Sequence, residues 1–336
     1  MIRGIALSFN LLAGFAGLVG PAQAQDVAQI DPVIELQTLC EDKDGSACTR
    51  LGDRLLEGNG IARDDARGVS ILGKACQLGD MQGCTMTGFA YGKGQGVAKS
   101  TDIARAYYAF ACQGGEATGC SNLGLAYING DGVPKDDARA AALFQQACMN
   151  SPTAGCANLG ASYSLGRGVR RDHHRAARLF RQACDADDQH ACYNLGVLYR
   201  DGLGMRRNYE RALALFEPSC EAKDPSACGN LANMIDDGRG TPKDHQRALA
   251  LHDVACTLGE AESCFTLGRA YQTGNGRERD DGRAIALLER SLALDPQTPS
   301  AGHAAKAIAI AKAAIADRPV NTAKEDGPAN REAHEE

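Results

Sequence analysis

Fourteen cysteines fall on one ruler and constrain this chain more than any other feature. They form seven pairs eight residues apart: Cys40 and Cys48, Cys76 and Cys84, Cys112 and Cys120, Cys148 and Cys156, Cys184 and Cys192, Cys220 and Cys228, Cys256 and Cys264. The pairs recur every 36 residues. A period held this strictly marks one supersecondary unit copied along the chain, so the expected fold is a stacked array. An even number of cysteines at fixed spacing reads as a disulfide framework if the chain matures in an oxidising compartment.

The N-terminus supplies that condition. A basic start at Arg3, an apolar run from Ile5 to Val19 and the small-residue site Ala22-Gln23-Ala24 read as a secretory signal peptide over 1–24. The run is about 15 residues, short for a membrane span, and ends in Gly20-Pro21. No later stretch is long and apolar enough to span, so the expected location is the periplasm or the medium, with no membrane span after cleavage. The net charge of -6, with acids and bases mixed along the chain, gives no sign of a nucleic-acid partner.

Aligning seven copies on the second cysteine of each pair exposes the unit. Three positions on stand Leu51, Leu123, Leu159, Leu195, Leu231 and Leu267, with Thr87 in the second copy. The next position is small (Gly52, Gly88, Gly124, Gly160, Gly196, Ala232, Gly268), and the seventh carries Leu55, Tyr91, Tyr127, Tyr163, Tyr199, Ile235 and Tyr271. Offsets 0, 3, 4 and 7 mark one face of an α-helix, helix A. Every copy then has Gly-x-Gly, beginning at Gly58, Gly94, Gly130, Gly166, Gly202, Gly238 and Gly274. No strand precedes it and no P-loop lysine follows, so it reads as a helix stop with left-handed backbone. Four residues later stand Asp64, Ser100, Asp136, Asp172, Asn208, Asp244 and Asp280, N-cap types that start a helix B. Helix B closes near the next cysteine pair.

The expected fold class is therefore all-α, an α/α superhelical solenoid of seven 36-residue repeats over 48–299. An N-terminal capping helix falls in 25–47, a C-terminal capping helix in 300–316, and the polar tail 317–336, with Pro319 and Pro328, reads as disordered.

The pattern Asn-Leu-Gly-x-x-Tyr-x-x-Gly-x-Gly-Val, then Asp, then Ala-x-x-Leu-Phe-x-x-Ala-Cys resembles the Sel-1-like repeat, a relative of the tetratricopeptide repeat. Copies Cys120–Gly155 and Cys156–Ala191 match it closely, and the added Cys-x7-Cys is similar to a secreted cysteine-rich bacterial branch of that family. The resemblance implies a binding scaffold. It also implies an alternative, a β-lactam-binding protein or weak β-lactamase, because some relatives are so described. The residues lack the matching machinery: there is no Ser-x-x-Lys, Ser-Asp-Asn or Lys-Thr-Gly. No catalytic residue, cofactor or metal site is expected; neither CxxC nor CxxCH occurs, and seven scattered histidines form no ligand set.

Two disulfide connectivities suit antiparallel helices: across the corner between units (Cys148 with Cys156) or within one unit (Cys120 with Cys148). Pairing within units would orphan Cys40 and Cys264, whereas pairing at spacing eight leaves none over. Where the ruler calls for another pair stand Leu292 and Ser300, both members missing together. Inter-repeat bridges are therefore expected, each closing a loop of about 9 residues and contributing at most about 2.6 kcal/mol.

The opposite face of helix A, at offsets 2, 5 and 9, is the candidate concave groove. Offset 2 places Asn122, Asn158, Asn194 and Asn230 in successive copies. Asparagine both donates and accepts, so the ladder either holds the backbone of an extended peptide or bonds within the repeat. Offset 5 adds Phe89, Leu125, Ala161 and Val197, either an apolar binding strip or residues buried by curvature against the next helix A. The expected partner is an extended peptide, an envelope protein or a peptidoglycan fragment. A basic run in the fourth copy (Arg167, Arg170, Arg171, His173, His174, Arg175, Arg178, Arg181) either meets anionic envelope polymers or an acidic partner, or forms a solvated convex face.

Overall fold

The computed structural model describes residues 32–317; the expected signal peptide and residues 318–336 of the tail lie outside them. The described residues fold into sixteen α-helices without a strand. In chain order they are α1 (Pro32–Glu41), α2 (Gly45–Glu57), α3 (Asp65–Gln77), α4 (Met81–Lys93), α5 (Thr101–Gln113), α6 (Ala117–Asn129), α7 (Asp137–Asn150), α8 (Pro152–Leu165), α9 (His173–Cys184), α10 (Gln189–Asp201), α11 (Tyr209–Glu221), α12 (Pro225–Asp237), α13 (His245–Thr257), α14 (Ala261–Thr273), α15 (Asp281–Leu294) and α16 (Ala301–Ala316). Each helix packs on its chain neighbours, and successive A helices also touch: α2 with α4, α4 with α6, α6 with α8. The result is the expected solenoid, with α1 and α16 as terminal helices.

Local chemistry sets each boundary. All seven expected B-helix caps accept a hydrogen bond from the backbone N–H three residues on. The A helices begin three or four residues before the second cysteine, earlier than the alignment origin. Six of them start from an acidic cap (Asp44, Asp80, Glu116, Asp188, Asp224, Glu260), and α8 starts from Ser151 with Pro152 at its first turn. Helix A stops at the first glycine of each Gly-x-Gly in the left-handed region, with φ between 71° and 81°. The second glycine also has positive φ and lies on the preceding unit: a Cβ on Gly168 would sit 1.9 Å from the Asp137 carbonyl oxygen. Only glycine lets consecutive turns stack this closely.

The core is a ladder of rungs. A large B-helix side chain lies on the small A-helix residue of its own copy: Leu72 on Gly52, Tyr108 on Gly88, Phe144 on Gly124, Phe180 on Gly160, Phe216 on Gly196, Leu288 on Gly268. In the sixth copy this register holds His252, and the small residue is Ala232 instead of Gly. His252 is buried, with its Nδ1 2.9 Å from Ser263 Oγ. A second recurring contact ties the helices of one copy: Arg139, Arg175, Arg211 and Arg283 each donate to the hydroxyl of Tyr127, Tyr163, Tyr199 and Tyr271, with guanidinium carbons 5.4–5.7 Å from the ring centres.

All fourteen cysteines are paired at spacing eight, with Cα atoms 4.4–4.7 Å apart. Each bridge crosses the corner between one helix B and the next helix A; the first ties α1 to α2. The eighth corner, between α15 and α16, has no bridge. There the Glu262 carboxylate accepts from Thr298 Oγ1, from the Ser300 N–H (3.0 Å) and from Ser300 Oγ (2.6 Å). A polar staple stands where the cysteine pair is missing.

Candidate functional site

The helix-A face carries the residues of the candidate groove, and the structure divides them. Phe89, Leu125 and Asn122 converge on a cavity of about 370 Å³ enclosed by α4, α5 and α6. Phe89 and Leu125 remain 49% and 39% exposed, so apolar surface here faces water. Ala104, Ala126 and Tyr108 complete the apolar wall, and burial pushes the Tyr108 hydroxyl up to about 12. Lys93, Lys99 and Arg105 outnumber the single acid, Asp131, among the lining residues. Lys93 Nζ lies 5.6 Å from the Phe89 ring centre, and Arg105 Nε is shielded from solvent without a partner. Such a cavity accepts an apolar side chain flanked by acceptors or negative charge.

Val197 lies outside this cavity. It is half-buried against the core of the central copies, as is Ala161. Of the apolar offset-5 residues, only Phe89 and Leu125, in copies two and three, are exposed.

The asparagine ladder also divides, for a reason one register away. Asn158 donates through Nδ2 to Ser121 Oγ at 3.0 Å, and Asn230 donates to the Tyr193 hydroxyl at 3.0 Å; each partner lies 37 residues earlier, on the preceding helix A. Asn230 Oδ1 also accepts from Arg200. The same separation leads from Asn194 to Ala157, which offers no polar group, and from Asn122 to Thr85, whose hydroxyl is engaged by Glu116. Neither Asn122 nor Asn194 makes a side-chain hydrogen bond to another described residue. Two amides thus cross-link the array, and two do not.

A further cavity of about 290 Å³ lies between α13 and α14 and is lined by Asp236, His245, His252 and Arg269. His245 Nδ1 is 2.7 Å from Asp236 Oδ1, and that carboxylate raises the imidazole above its ordinary range. Burial holds His252 below its ordinary range. Among the described residues no group of three or more His, Cys, Asp or Glu side chains could hold a metal ion, and no helix is long and apolar enough to cross a membrane.

Comparison with known proteins agrees with this architecture. The family model described as the Sel1 repeat matches seven times, at 45–80, 82–116, 117–152, 153–188, 189–224, 225–260 and 261–296. A protective antigen of uropathogenic Escherichia coli displaying an SLR fold is 24% identical, with a TM-score of 0.67 over 83% of this chain. This chain spans 58% of that antigen's length. A Sel1 repeat protein from Oxalobacter formigenes is 23% identical, with a TM-score of 0.64 over 78% of this chain and 96% of its own. At these identities the likeness is one of fold. No curated protein matches the chain in sequence.

Proposed function

The chain belongs to the Sel1 repeat family, and on that premise we propose that it is a periplasmic or secreted scaffold that holds an extended segment of an envelope protein against its A helices. Sel1 arrays are binding scaffolds, the matched family model is not that of a catalytic family, and seven disulfides fit an oxidising, extracytoplasmic compartment. One observation supports the location of binding above all: Phe89 and Leu125 stay exposed beside the unpartnered Asn122 at a single cavity. The two apolar groups anchor a partner side chain, and the amide pairs with its backbone. Seven bridges hold the angle between units, so the groove is pre-formed and a segment bound there loses little energy to reorganisation.

The test places a photo-crosslinking side chain at Leu125 or, as a control, at Met149, which is 72% exposed on α7. Crosslinking in an envelope extract should give one dominant protein adduct from position 125, lost with Phe89→Ser. Equal adduct patterns from both positions would refute the groove. Turnover of a chromogenic β-lactam that disappears with Asn158→Ala plus Asn194→Ala would replace the scaffold by the hydrolase that the resemblance also implies.

A further inference from the structure

Seven copies of one unit act as internal controls for each other, and the fourth departs from the rest at the turn that leads into helix B. In every copy the residue before the B-helix cap is basic: Arg63, Lys99, Lys135, Arg171, Arg207, Lys243, Arg279. All seven are exposed. At the next helical positions five of the other six copies carry an acid (Asp65, Asp102, Asp137, Glu210, Asp281), and the sixth copy carries His245, already engaged by Asp236, followed by Gln246. Arg63 and Arg279 spend their charge there, on Asp65 and Asp281. In the fourth copy alone the turn reads Arg170-Arg171-Asp172-His173-His174-Arg175, with two bases ahead of the cap and two histidines behind it.

These residues surround a cavity of about 810 Å³, lined also by Tyr163, Val169 and Gly204. Its one acid is already committed. Asp172 accepts from the Arg175 N–H at 3.0 Å as the cap of α9 and pairs with the Arg175 side chain at 3.4 Å; the hydrogen bond from the Arg175 N–H, helped by that charge, holds the carboxyl below its usual range. Arg175 in turn lies on Tyr163. Arg170, Arg171 and His174 are exposed and make no ion pair within the described residues. His173 Nδ1 is shielded from solvent without a partner. Asp137 of the preceding copy is taken by Arg167 at 3.3 Å. The following turn reaches the cavity at Gly204; Arg206 and Arg207, which come after it in sequence, lie outside the lining.

We infer that this cavity binds a multiply charged oxyanion of the phosphate class, such as a polyphosphate or a phosphorylated saccharide. Unpaired guanidinium forks match tetrahedral oxyanions, and concentrating positive charge in a cleft of a chain whose net charge is -6 opposes the field of the whole protein. A cavity of about 810 Å³ is far larger than a single ion needs, so more than one charged group fits. The site shares no lining residue with the cavity of copies two and three and stands independently of it.

The test is calorimetric titration of the oxidised protein with tripolyphosphate at about 0.1 M salt, where charges more than about 10 Å away are screened. Saturable 1:1 binding is expected. Arg170→Ser with His174→Ser, both exposed positions that leave the Tyr163 contact intact, should weaken it by about tenfold or more. Lys135→Ser, at the equivalent turn of the third copy, should change it by less than twofold. Absence of saturable binding would overturn the inference. So would equal losses in both variants, which report only overall charge, or equally tight binding of a polyglutamate of matched charge. Co-sedimentation with vesicles containing anionic phospholipid, dependent on Arg170 and His174, would assign the anion to a lipid headgroup; binding of tripolyphosphate without such co-sedimentation would assign it to a soluble ligand.

Discussion

Replacing Glu262 by glutamine should loosen one corner of this solenoid and no other. The carboxylate accepts three hydrogen bonds, from Thr298 Oγ1, Ser300 N–H and Ser300 Oγ. Hydrogen bonds to a charged acceptor contribute about 1.5–3 kcal/mol each when buried, and less here because Glu262 is only part-buried. Glutamine keeps one oxygen and loses the charge, so the expected local cost is about 2 kcal/mol. The staple is one of several ties on the terminal helix: α16 also buries Ala304, Ala307 and Ala311, accepts a hydrogen bond at the Ala307 carbonyl from Gln272 Nε2 at 2.8 Å, and pairs Lys312 with Glu289 at the surface. A loss of about 2 kcal/mol multiplies its open population roughly thirtyfold. Amide hydrogen exchange measures this directly. Exchange over 301–316 should accelerate by that order, with α14 and α15 unchanged.

Acid should produce the same result. Although burial opposes it, hydrogen bonding to Ser300 and Thr298 leaves the Glu262 carboxyl below its ordinary value of 4.5. A depressed carboxylate stabilises the fold above its unfolded pKa, and the contribution is lost as pH falls through the folded pKa. The corner at α16 should therefore open below about pH 4.5, while the seven covalent corners persist. Unchanged exchange in α16 for a folded Glu262→Gln variant would refute the staple.

Further outcomes follow from the ladder and the bridges. Gly160→Ala places a Cβ 2.8 Å from Phe180 Cε1; overpacking of about 1–3 kcal/mol should exceed the roughly 1 kcal/mol that alanine gains in helix propensity, giving a lower urea midpoint. Cys148→Ala with Cys156→Ala should cost up to about 2.6 kcal/mol by urea unfolding and accelerate exchange first in α7 and α8. His252 is held neutral by burial on α13, with Glu260, Asp236, Asp253 and His245 as its charged neighbours; a depressed histidine loses stability as pH falls below its unfolded value of 6.5, so α13 and α14 should exchange faster at mild acid, and His252→Phe with Ala232→Gly should abolish that sensitivity. Ala157→Ser should give Asn194 the partner it lacks; a double-mutant cycle with Asn194→Ala should read a coupling of about 1 kcal/mol by urea unfolding, and zero coupling would show the two side chains do not meet.

How much of this was legible in the sequence depends on how far each feature reaches along the chain. Signals confined to one copy read cleanly: the glycine stops, the B-helix caps and the buried offsets 0, 3 and 4 of helix A stand where the 36-residue ruler put them, while four of the five offset-7 tyrosines are only partly buried. The disulfide pairing was legible because the ruler has ends, at Cys40 and Cys264. Two further local signals stand in the sequence. An acidic residue stands four before the second cysteine in six copies, and it caps helix A. An arginine three after the B-helix cap recurs in six copies, and in four of them it lies on the tyrosine of helix A.

Features that join two copies were not legible from a single-copy alignment. Whether an asparagine at offset 2 is free depends on the residue 37 positions earlier, one more than the period, because helix A of one copy meets the next with a shift of one residue. An alignment stacked at 36 places Asn158 under Asn122 and hides Ser121, the residue it bonds. In the central copies the apolar strip fades, because Ala161 and Val197 pack half-buried against the core. In an array the repeated positions specify the scaffold, and specificity arises where copies differ. His252 with Ala232 and Ser263 changes one rung as a set, Glu262 with Ser300 replaces one bridge as a set, and the basic turn of copy four replaces acids that most other copies keep. Such departures come in physically coupled groups because one altered residue in a closely packed rung or corner leaves a clash, a void or an unpaired polar group for its neighbour to resolve.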